Sequence, residues 1–359
     1  MNRKASHGDE TPISSALDVT VLTDGRAGNR AQALGLAEAL ARLGPATIHE
    51  RSVVLRRPFD LMPAGLWHAL RPLPGWPAMA LRDGSAALAP LGRRPLLIGA
   101  GRRAAPIVAA LARRTGAPSV QLLDPQMDPG AFSLVAAPAH DGLRAPNAVT
   151  TLGAVGRVTA ESISAARSAL PPALVAEIEA LPRPRLGILL GGNSRSARWS
   201  AEEVEGFIAA CRHLAAEGHA LAITPSRRTD PSVIAALREA LRGVGHYLWD
   251  GHTTNPYPGM LGLVDAVVVT ADSVNMASEA AASGLPLHVF PIARLDRKLR
   301  AFHDALRAHG ASRPFDGRIE HWSYPPLAEA DKLAAVVADR LLPDWPTDKA
   351  QPAPDSRGR

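Results

Sequence analysis

The sequence predicts an α/β protein made of two Rossmann-like, doubly wound domains that face a cleft. Short runs rich in Val, Ile and Leu alternate with Ala-rich helical stretches along almost the whole chain, which is typical of parallel sheets covered by helices. The length of 359 residues favours two domains, each large enough to bury its own core. The two prolines at 182 and 184 cannot continue a helix and therefore indicate a boundary between two series of elements.

The elements follow from apolar runs and from helical spacing. Leu34, Ala37 and Leu40 recur at the helical period, which predicts a first helix over 30–43. The expected strands of the first series are 17–22, 46–54, 95–98, 119–123, 132–136 and 148–152, with a second helix over 104–114. The expected strands of the second series are 185–190, 220–224, 245–248, 266–270 and 287–290, with helices over 201–217, 231–242, 276–283 and 327–342.

These elements imply a domain organisation in five parts. We expect an N-terminal Rossmann-like domain over 16–156, a connecting helix and linker over 157–184 and a C-terminal Rossmann-like domain over 185–324. A C-terminal helix over 325–345 and a polar, disordered tail over 346–359 complete the chain.

The net charge of +6 needs dissection before it indicates a partner. Lysine occurs only at positions 4, 298, 332 and 349, so nearly all cations are arginines, which indicates a coding bias toward Ala, Arg, Gly and Pro. The arginines are spread along the chain, and three Tyr and six Phe offer little base stacking, so we expect no nucleic-acid partner.

Several features bear on the compartment. Cys211 is the single cysteine and lies in an apolar helical pattern, which fits a reducing compartment and a core position. No apolar run approaches the roughly 20 residues that span a bilayer, and the amino terminus has no apolar signal core. We expect a cytoplasmic protein.

The segment 56–83 breaks the alternation and has two interpretations. As an interfacial patch it would direct Trp67, Trp76, Leu66 and Met79 toward lipid, making the protein peripheral to the inner membrane. As a pair of short helices it would instead close the domain core.

Four polar loops each follow a predicted strand, at the edge where open parallel sheets bind ligands. The first two combine glycines with arginines, which suits an anion, although plain turns and a Ser200–Glu203 capping box also explain part of these patterns. The candidate substrate-binding residues in three of the loops are Gly25, Arg26, Gly28, Asn29 and Gln32, then Gly191, Gly192, Asn193, Ser194 and Arg195, and then Ser226, Arg227 and Arg228.

The fourth loop is the most informative. Asp272, Ser273, Val274 and Asn275 lead from a buried strand into a helix, where a hydroxyl, an amide and free backbone N–H groups can hold a diphosphate. Glu279, one turn along, suits the two hydroxyls of a ribose. The alternative is that Asp272 or Ser273 only caps the helix and that Glu279 is solvated.

Missing motifs narrow the chemistry. The sequence has no Walker A loop, HExxH, paired CxxC or GxSxG, and no DxD triplet or metal-ligand spacing, so we expect neither metal nor cofactor. Arginines and helix termini would then neutralise a leaving diphosphate. A base that activates an acceptor would come from the first domain, and the candidates are Asp24, His140 and Asp141.

The run ADSVNMASEAAASGLP resembles the donor site of glycosyltransferase-B enzymes of the lipid-linked peptidoglycan type. That resemblance implies that Ser273, Val274 and Asn275 hold a diphosphate and Glu279 a ribose. Together with TDGRAGNRAQALGLAEAL, LLGGNSRSARWS and ITPSRRT, the run is similar to bacterial members of the mitochondrial-fission (elongated-mitochondria) protein family. The resemblance covers about 18–322 and implies a glycosyltransferase-B-like fold.

The leading hypothesis is a metal-independent glycosyltransferase. It would bind a nucleotide diphosphate sugar in the second domain and transfer the sugar to an unknown acceptor held by the first, for which a lipid-linked molecule is one candidate. The alternatives are a nucleotide-sugar epimerase of the same fold and a non-catalytic peripheral membrane or scaffold protein that keeps the fold.

Overall fold

The computed structural model describes residues 16–63, 66–67, 70, 75–82, 88–89 and 91–347. These residues form two compact units, the first taking in the described residues up to Ala136, Ala145–Val149 and those from Asp331 onward. The second unit takes in Ala137–Arg144 and Thr150–Ala330. Residues 137–144 and 150–156, which the sequence assigned to the first domain, thus lie in the second unit. The C-terminal helix, which the sequence left free to pack on either domain, lies mostly in the first unit. Nearly all of the expected tail lies outside the described residues.

The sheet of the first unit has six strands in the order β2-β1-β3-β4-β5-β6. They are β1 (Leu17–Thr23), β2 (Ala46–Ser52), β3 (Pro95–Ala100), β4 (Ser119–Leu122), β5 (Leu134–Pro138) and β6 (Ala148–Thr151). Helices α1 (Ala27–Leu43) and α2 (Ala105–Thr115) follow β1 and β3. The chain order reverses between β1 and β3, so loops that leave these two neighbouring strands diverge to opposite faces of the sheet.

The second unit also has a six-stranded sheet, in the order β10-β9-β7-β11-β12-β14, and every adjacent pair is parallel. Counted within the unit, this is the 3-2-1-4-5-6 order of dinucleotide-binding domains. The strands are β7 (Arg185–Leu190), β9 (Ala220–Pro225), β10 (His246–Leu248), β11 (Ala266–Thr270), β12 (Leu287–Phe290) and β14 (Ser312–Pro314). A separate antiparallel ribbon pairs β8 (Ala197–Arg198) with β13 (Arg294–Leu295).

Helices cover both faces of the second sheet. They are α3 (Ala160–Ser168), α4 (Pro172–Glu179), α5 (Ala201–Ala216), α6 (Pro231–Ala240), α7 (Val274–Ala282) and α8 (Arg297–Ala308). Helices α5 and α6 bury Cys211 and Leu237 in the cluster on one face, and α8 buries Phe302 in the cluster on the other. The burial of Cys211 confirms its predicted core position, and it raises the pKa of the thiol to about 12.

The C-terminal helix α9 (Glu329–Leu341) belongs to the first unit from Asp331 onward. Arg42 on α1 forms an ion pair with Asp331 at 2.5 Å. After the helix, the indole Nε1–H of Trp345 donates to the carbonyl oxygen of Pro45 at 3.1 Å. The helix that the sequence left free to pack on either domain is therefore tied to the first unit.

The segment 56–83 is not a lipid-facing helix in its described part. It contains the short 3-10 turns Phe59–Leu61 and Ala78–Ala80. Trp67 is only 3% exposed, and its ring lies 5.1 Å from that of Trp76. Trp67 therefore does not face lipid as the interfacial interpretation requires, whereas Leu66 and Met79 are exposed. Within the described chain, none of the helices combines the length and the apolar character needed to cross a membrane.

One histidine of the second unit is buried within its sheet. His288 in β12 is fully buried, its Nε2 accepts a hydrogen bond from the backbone N–H of Glu320 at 3.0 Å, and its ring meets Trp322 edge-on. Burial lowers the pKa of His288 below its ordinary value, so the folded protein holds this ring neutral.

We expect this ring to reduce stability in acid. The unfolded chain takes up a proton near pH 6.5 that the folded chain resists, so the stability is complete above about pH 6.5 and falls as the pH decreases below it. In His288→Gln, whose amide oxygen can still accept from Glu320, the melting temperature should fall less between about pH 7.5 and 5.5 than in the wild type. The exposed His252→Gln is the control and should follow the wild type. Equal pH dependence in His288→Gln and the wild type would contradict this assignment.

Candidate functional site

Three of the predicted polar loops lie side by side in the second unit. They follow β9, β7 and β11, which are adjacent in the sheet, and the chain order reverses between β7 and β11. Ligands of open α/β sheets bind at the carboxyl ends of strands where such a reversal separates the loops. The strand order therefore selects this edge of the sheet as the candidate site.

A carboxylate joins the three loops. Asp272 follows β11, its side chain is fully buried, and one of its oxygens, Oδ2, accepts from the backbone N–H of Gly192 at 2.9 Å. The same oxygen forms an ion pair with the Arg228 guanidinium at 2.8 Å, and Oδ1 accepts from the Thr270 hydroxyl at 2.6 Å. Because Gly192 follows β7 and Arg228 follows β9, one side chain fixes the relative positions of all three loops.

The two glycines after β7 are required by this close packing. A Cβ atom at position 191 would collide with the Asp272 carboxylate, and one at position 192 would collide with the backbone carbonyl of Arg228. The Thr229 hydroxyl oxygen lies 2.6 Å from the Gly191 carbonyl oxygen and closes the contact from the other side. The predicted glycine loop therefore packs directly against the loops after β9 and β11. We call this packing of Gly191, Gly192, Arg228 and Thr229 around Asp272 the joint.

The remaining residues of the loop after β7 divide into two kinds. Asn193 Oδ1 accepts from the Trp199 backbone N–H at 2.8 Å, and Ser194 Oγ accepts from the N–H groups of Ser196 and Ala197. These two side chains therefore shape their own loop. Arg195 is exposed, and so its charge is available to a ligand.

The loop after β9 uses its two adjacent arginines differently. Arg228 is held by Asp272 and also donates to the Gly192 carbonyl oxygen at 2.9 Å, whereas Arg227 is exposed. Ser226 Oγ accepts from the Arg228 backbone N–H at 3.2 Å and turns the loop. Of the predicted pair, only Arg227 presents its guanidinium to solvent without an ion pair among the described residues.

Helix starts account for several of the predicted polar residues. Ser273 is the N-cap of α7 and accepts from the Met276 N–H at 3.4 Å, while Val274 and Asn275 form the first turn. Ser200 and Glu203 form the predicted capping box of α5. Ser273 therefore caps α7, whereas Asp272 joins the loops, and a ligand-binding role for Ser273 stays a prediction.

Glu279 is set apart by its surroundings. It lies one turn into α7, beside Gly156, and burial raises its pKa. Arg157 and the Tyr257 hydroxyl act in the opposite direction and lower the pKa of the Glu279 carboxyl. The Tyr257 hydroxyl oxygen is buried beside this carboxyl, and no described atom makes a full hydrogen bond to it.

Sequence reasoning missed Tyr257. It precedes a proline in an irregular loop far along the chain from Glu279, and no local pattern connects the two. Predicting that they are close would have required knowing that the loop after β10 packs beside α7, which depends on the order of the strands in the sheet.

The first predicted loop lies in the first unit. Asp24 accepts from the Asn29 side-chain amide at 3.1 Å and from the Arg26 backbone N–H at 3.3 Å, and its own side chain is 4% exposed. Gly28 lies in the first turn of α1, and Gly25 has a positive φ of 75°. Gln32 is buried in α1. Asp24 thus holds its loop together, and a role as base stays a prediction.

His140 and Asp141 do not belong to the first unit, where an acceptor base was expected. The turn Ala139–Asp141 packs on α8, with the His140 ring 5.7 Å from Phe302 and Asp141 paired with Lys298 at 2.7 Å. Burial lowers the pKa of His140, whose Nδ1 is buried without a partner among the described residues. The described part of the chain contains no group of three or more His, Cys, Asp or Glu residues that could hold a metal ion.

Substitution of Gly191 tests the packing of the joint directly. We expect Gly191→Ala to lower the free energy of unfolding by about 1–3 kcal/mol, because the new methyl group displaces the Asp272 carboxylate from its partners. The matched control is Gly206→Ala on the exposed face of α5, where a Cβ meets open space. There alanine should be neutral or stabilise by up to about 1 kcal/mol. Chemical denaturation measures the free energy of unfolding of both variants, and equal changes in the two would refute the tight packing of Gly191 against Asp272.

Comparison with solved structures shows the fold. The UDP-GlcNAc 2-epimerase from Methanocaldococcus jannaschii superposes with a TM-score of 0.53 at 8% identity, over 90% of this chain and 99% of that chain. The same enzyme in complex with UDP-GlcNAc and UDP gives 0.50 at 10% identity, over 90% and 99%. The Staphylococcus aureus MnaA-UDP co-structure gives 0.50 at 12% identity, over 90% and 88%. The predicted glycosyltransferase-B-like class with two Rossmann-like domains is confirmed.

Comparison with known sequences shows the family. The Arabidopsis thaliana protein named Mitochondrial fission protein ELM1 is 32% identical over 197 residues, which cover 54% of this chain and 45% of that protein. Uncharacterized protein RP120 from Rickettsia prowazekii (strain Madrid E) is 34% identical over 123 residues, which cover 32% and 34%. The chain thus matches less than half the length of these relatives. A family model described as Mitochondrial fission ELM1 matches residues 27–341, and the chain belongs to that family, as its four motifs predicted.

Proposed function

We propose that the second unit binds a nucleoside diphosphate sugar at the carboxyl edge of its sheet. The observation that carries the proposal is the Asp272 joint, because it holds three polar loops rigidly at the reversal of strand order. Because the loops of such a site are already ordered, ligand binding loses little free energy in ordering them. Two solved structures of similar fold support this class of ligand, namely the UDP-GlcNAc 2-epimerase in complex with UDP-GlcNAc and UDP and the MnaA-UDP co-structure.

Within this proposal the groups divide by the charge they offer. The first-turn N–H groups of α7 and the exposed guanidinium groups of Arg195 and Arg227 would face the diphosphate. Glu279 would accept hydrogen bonds from the two ribose hydroxyls. These assignments need no metal ion, since cationic side chains and helix dipoles can stabilise a leaving diphosphate.

The proposed reaction is transfer of the sugar to an acceptor hydroxyl. The acceptor oxygen forms a bond to the anomeric carbon, the bond from that carbon to the diphosphate breaks, and a base takes the acceptor's proton. The lowered pKa of His140 keeps its imidazole neutral near pH 7 and able to accept a proton, and Asp24 is the other candidate. A lipid-linked acceptor stays an expectation.

Epimerisation is the second candidate, because the structural relative from Methanocaldococcus jannaschii is a UDP-GlcNAc 2-epimerase. It requires the nucleotide sugar alone. Incubation of the protein with UDP-GlcNAc and no acceptor, followed by NMR, distinguishes the two reactions, since isomerisation of the sugar would support epimerisation and exclude the need for an acceptor. Binding without any turnover, with or without acceptors, would favour the scaffold alternative.

Nucleotide binding is the first test of the proposal. We expect calorimetric titration with UDP, GDP and ADP to detect binding of at least one nucleotide, and Glu279→Ala to weaken it about 10- to 100-fold through loss of charged hydrogen bonds. The control is Glu239→Ala, which removes an exposed carboxylate on α6 that pairs with Arg242. Absence of binding at millimolar nucleotide, or unchanged affinity in Glu279→Ala, would overturn the assignment.

Tyr257 provides a second test through pH. Burial raises the pKa of Glu279, so nucleotide affinity should decrease with acidification at a higher pH than for a free carboxylate. Tyr257→Phe removes a group that lowers this pKa, so the affinity should begin to fall at a still higher pH. Tyr324→Phe, which removes a hydroxyl bonded to the Leu285 carbonyl oxygen, is the control and should keep the wild-type profile. A parallel shift in both variants would refute the role of Tyr257.

A further inference from the structure

The ribbon formed by β8 and β13 places two arginines directly opposite each other. Arg198 pairs with Arg294 in the antiparallel register, and Ala197 pairs with Leu295. Directly opposed residues share one face of a ribbon, with Cβ atoms about 4.5–5.5 Å apart. Ala197 is buried and Leu295 half-buried, while both arginines are exposed, so the two guanidinium groups extend from the outer face.

Like charges that oppose each other across a ribbon are destabilising unless a counter-charge lies between them. An acidic group near Arg294 is Glu203, whose pKa is lowered in part by Arg294. Its carboxylate already accepts from the backbone N–H groups of Ser200 at 2.7 Å and Ala293 at 2.5 Å. Neither Arg198 nor Arg294 forms an ion pair with a described residue, so the outer face of the ribbon carries an excess positive charge.

The position of the ribbon gives this excess charge a context. Residue Arg198 follows the loop that begins at Gly191, and Arg294 follows β12 and precedes α8. The Ser196 carbonyl oxygen accepts from the Asp296 N–H at 2.8 Å, so the two strands are also fastened at the end of the ribbon. The arginines are thus mounted on a fixed backbone at the carboxyl edge of the second sheet.

We propose that this ribbon binds a phosphate group between Arg198 and Arg294. A phosphate offers oxygens to both guanidinium groups at once and supplies the missing negative charge. Neither arginine is part of the proposed nucleotide site, and the proposal does not rest on nucleotide binding. The phosphate could belong to a soluble ion or to a lipid headgroup, which present the same chemistry to the arginines.

Calorimetric titration with inorganic phosphate tests the site. The wild type should bind phosphate, and Arg198→Gln and Arg294→Gln should each weaken binding about tenfold or more. Both variants should melt at a higher temperature than the wild type in phosphate-free buffer, because the opposed charges are gone. The control is Arg212→Gln, which removes an exposed arginine of α5 away from the ribbon. UDP titrations on the same variants separate this site from the nucleotide site and should be unchanged.

Vesicles distinguish the two sources of phosphate. Sedimentation with phosphatidylcholine vesicles containing phosphatidic acid, but not with phosphatidylcholine alone, would identify a lipid headgroup if both ribbon variants lose it. Binding of inorganic phosphate without sedimentation would identify a soluble source. The proposal is overturned if neither phosphate nor vesicles bind, if the ribbon variants bind as the wild type does, or if Arg212→Gln is equally impaired.

Discussion

The polar edge of the second unit depends on the buried carboxylate of Asp272. Removing such a group from water costs several kcal/mol unless charged and polar partners surround it. Here the partners are the Thr270 hydroxyl, the Gly192 N–H and the Arg228 guanidinium, all at 2.6–2.9 Å. These partners come from three adjacent strands or the loops that follow them. By compensating the buried charge they also hold the three loops in fixed relative positions, and that arrangement positions the other side chains at the edge.

In both units a glycine permits close packing between loops that leave neighbouring strands. In each sheet the chain order reverses next to the first strand, and loops from two neighbouring strands must pass close to each other. In the first unit a Cβ atom at Gly101 would collide with the Asn29 amide, which is itself held by Asp24. In the second, Gly191 makes room for Asp272. These glycines therefore permit contact between loops, a role that a sequence motif does not distinguish from close approach to a ligand.

The sequence predicted the strands more closely than the site. Strands 185–190, 266–270 and 287–290 were expected with their observed bounds, because central parallel strands are apolar on both faces and end at polar loops. Adjacent Arg227 and Arg228 are equivalent in sequence, yet only one meets Asp272. The proximity of Tyr257 to Glu279, and the packing of His140 on α8, depend on how distant segments return, which local patterns do not encode.

The division between these two arginines determines the electrostatics of the site. The charges of Arg228 and Asp272 cancel within the joint, so they contribute rigidity rather than net potential. Arg195, Arg227 and the amino terminus of α7 add to the positive potential at the edge, because the joint does not neutralise them. A diphosphate would meet this potential on loops that are already fixed, so its binding would require little reorganisation of the protein. The neutral joint thus fixes the loops, and the exposed charges on those loops attract the anionic ligand, so the site requires both.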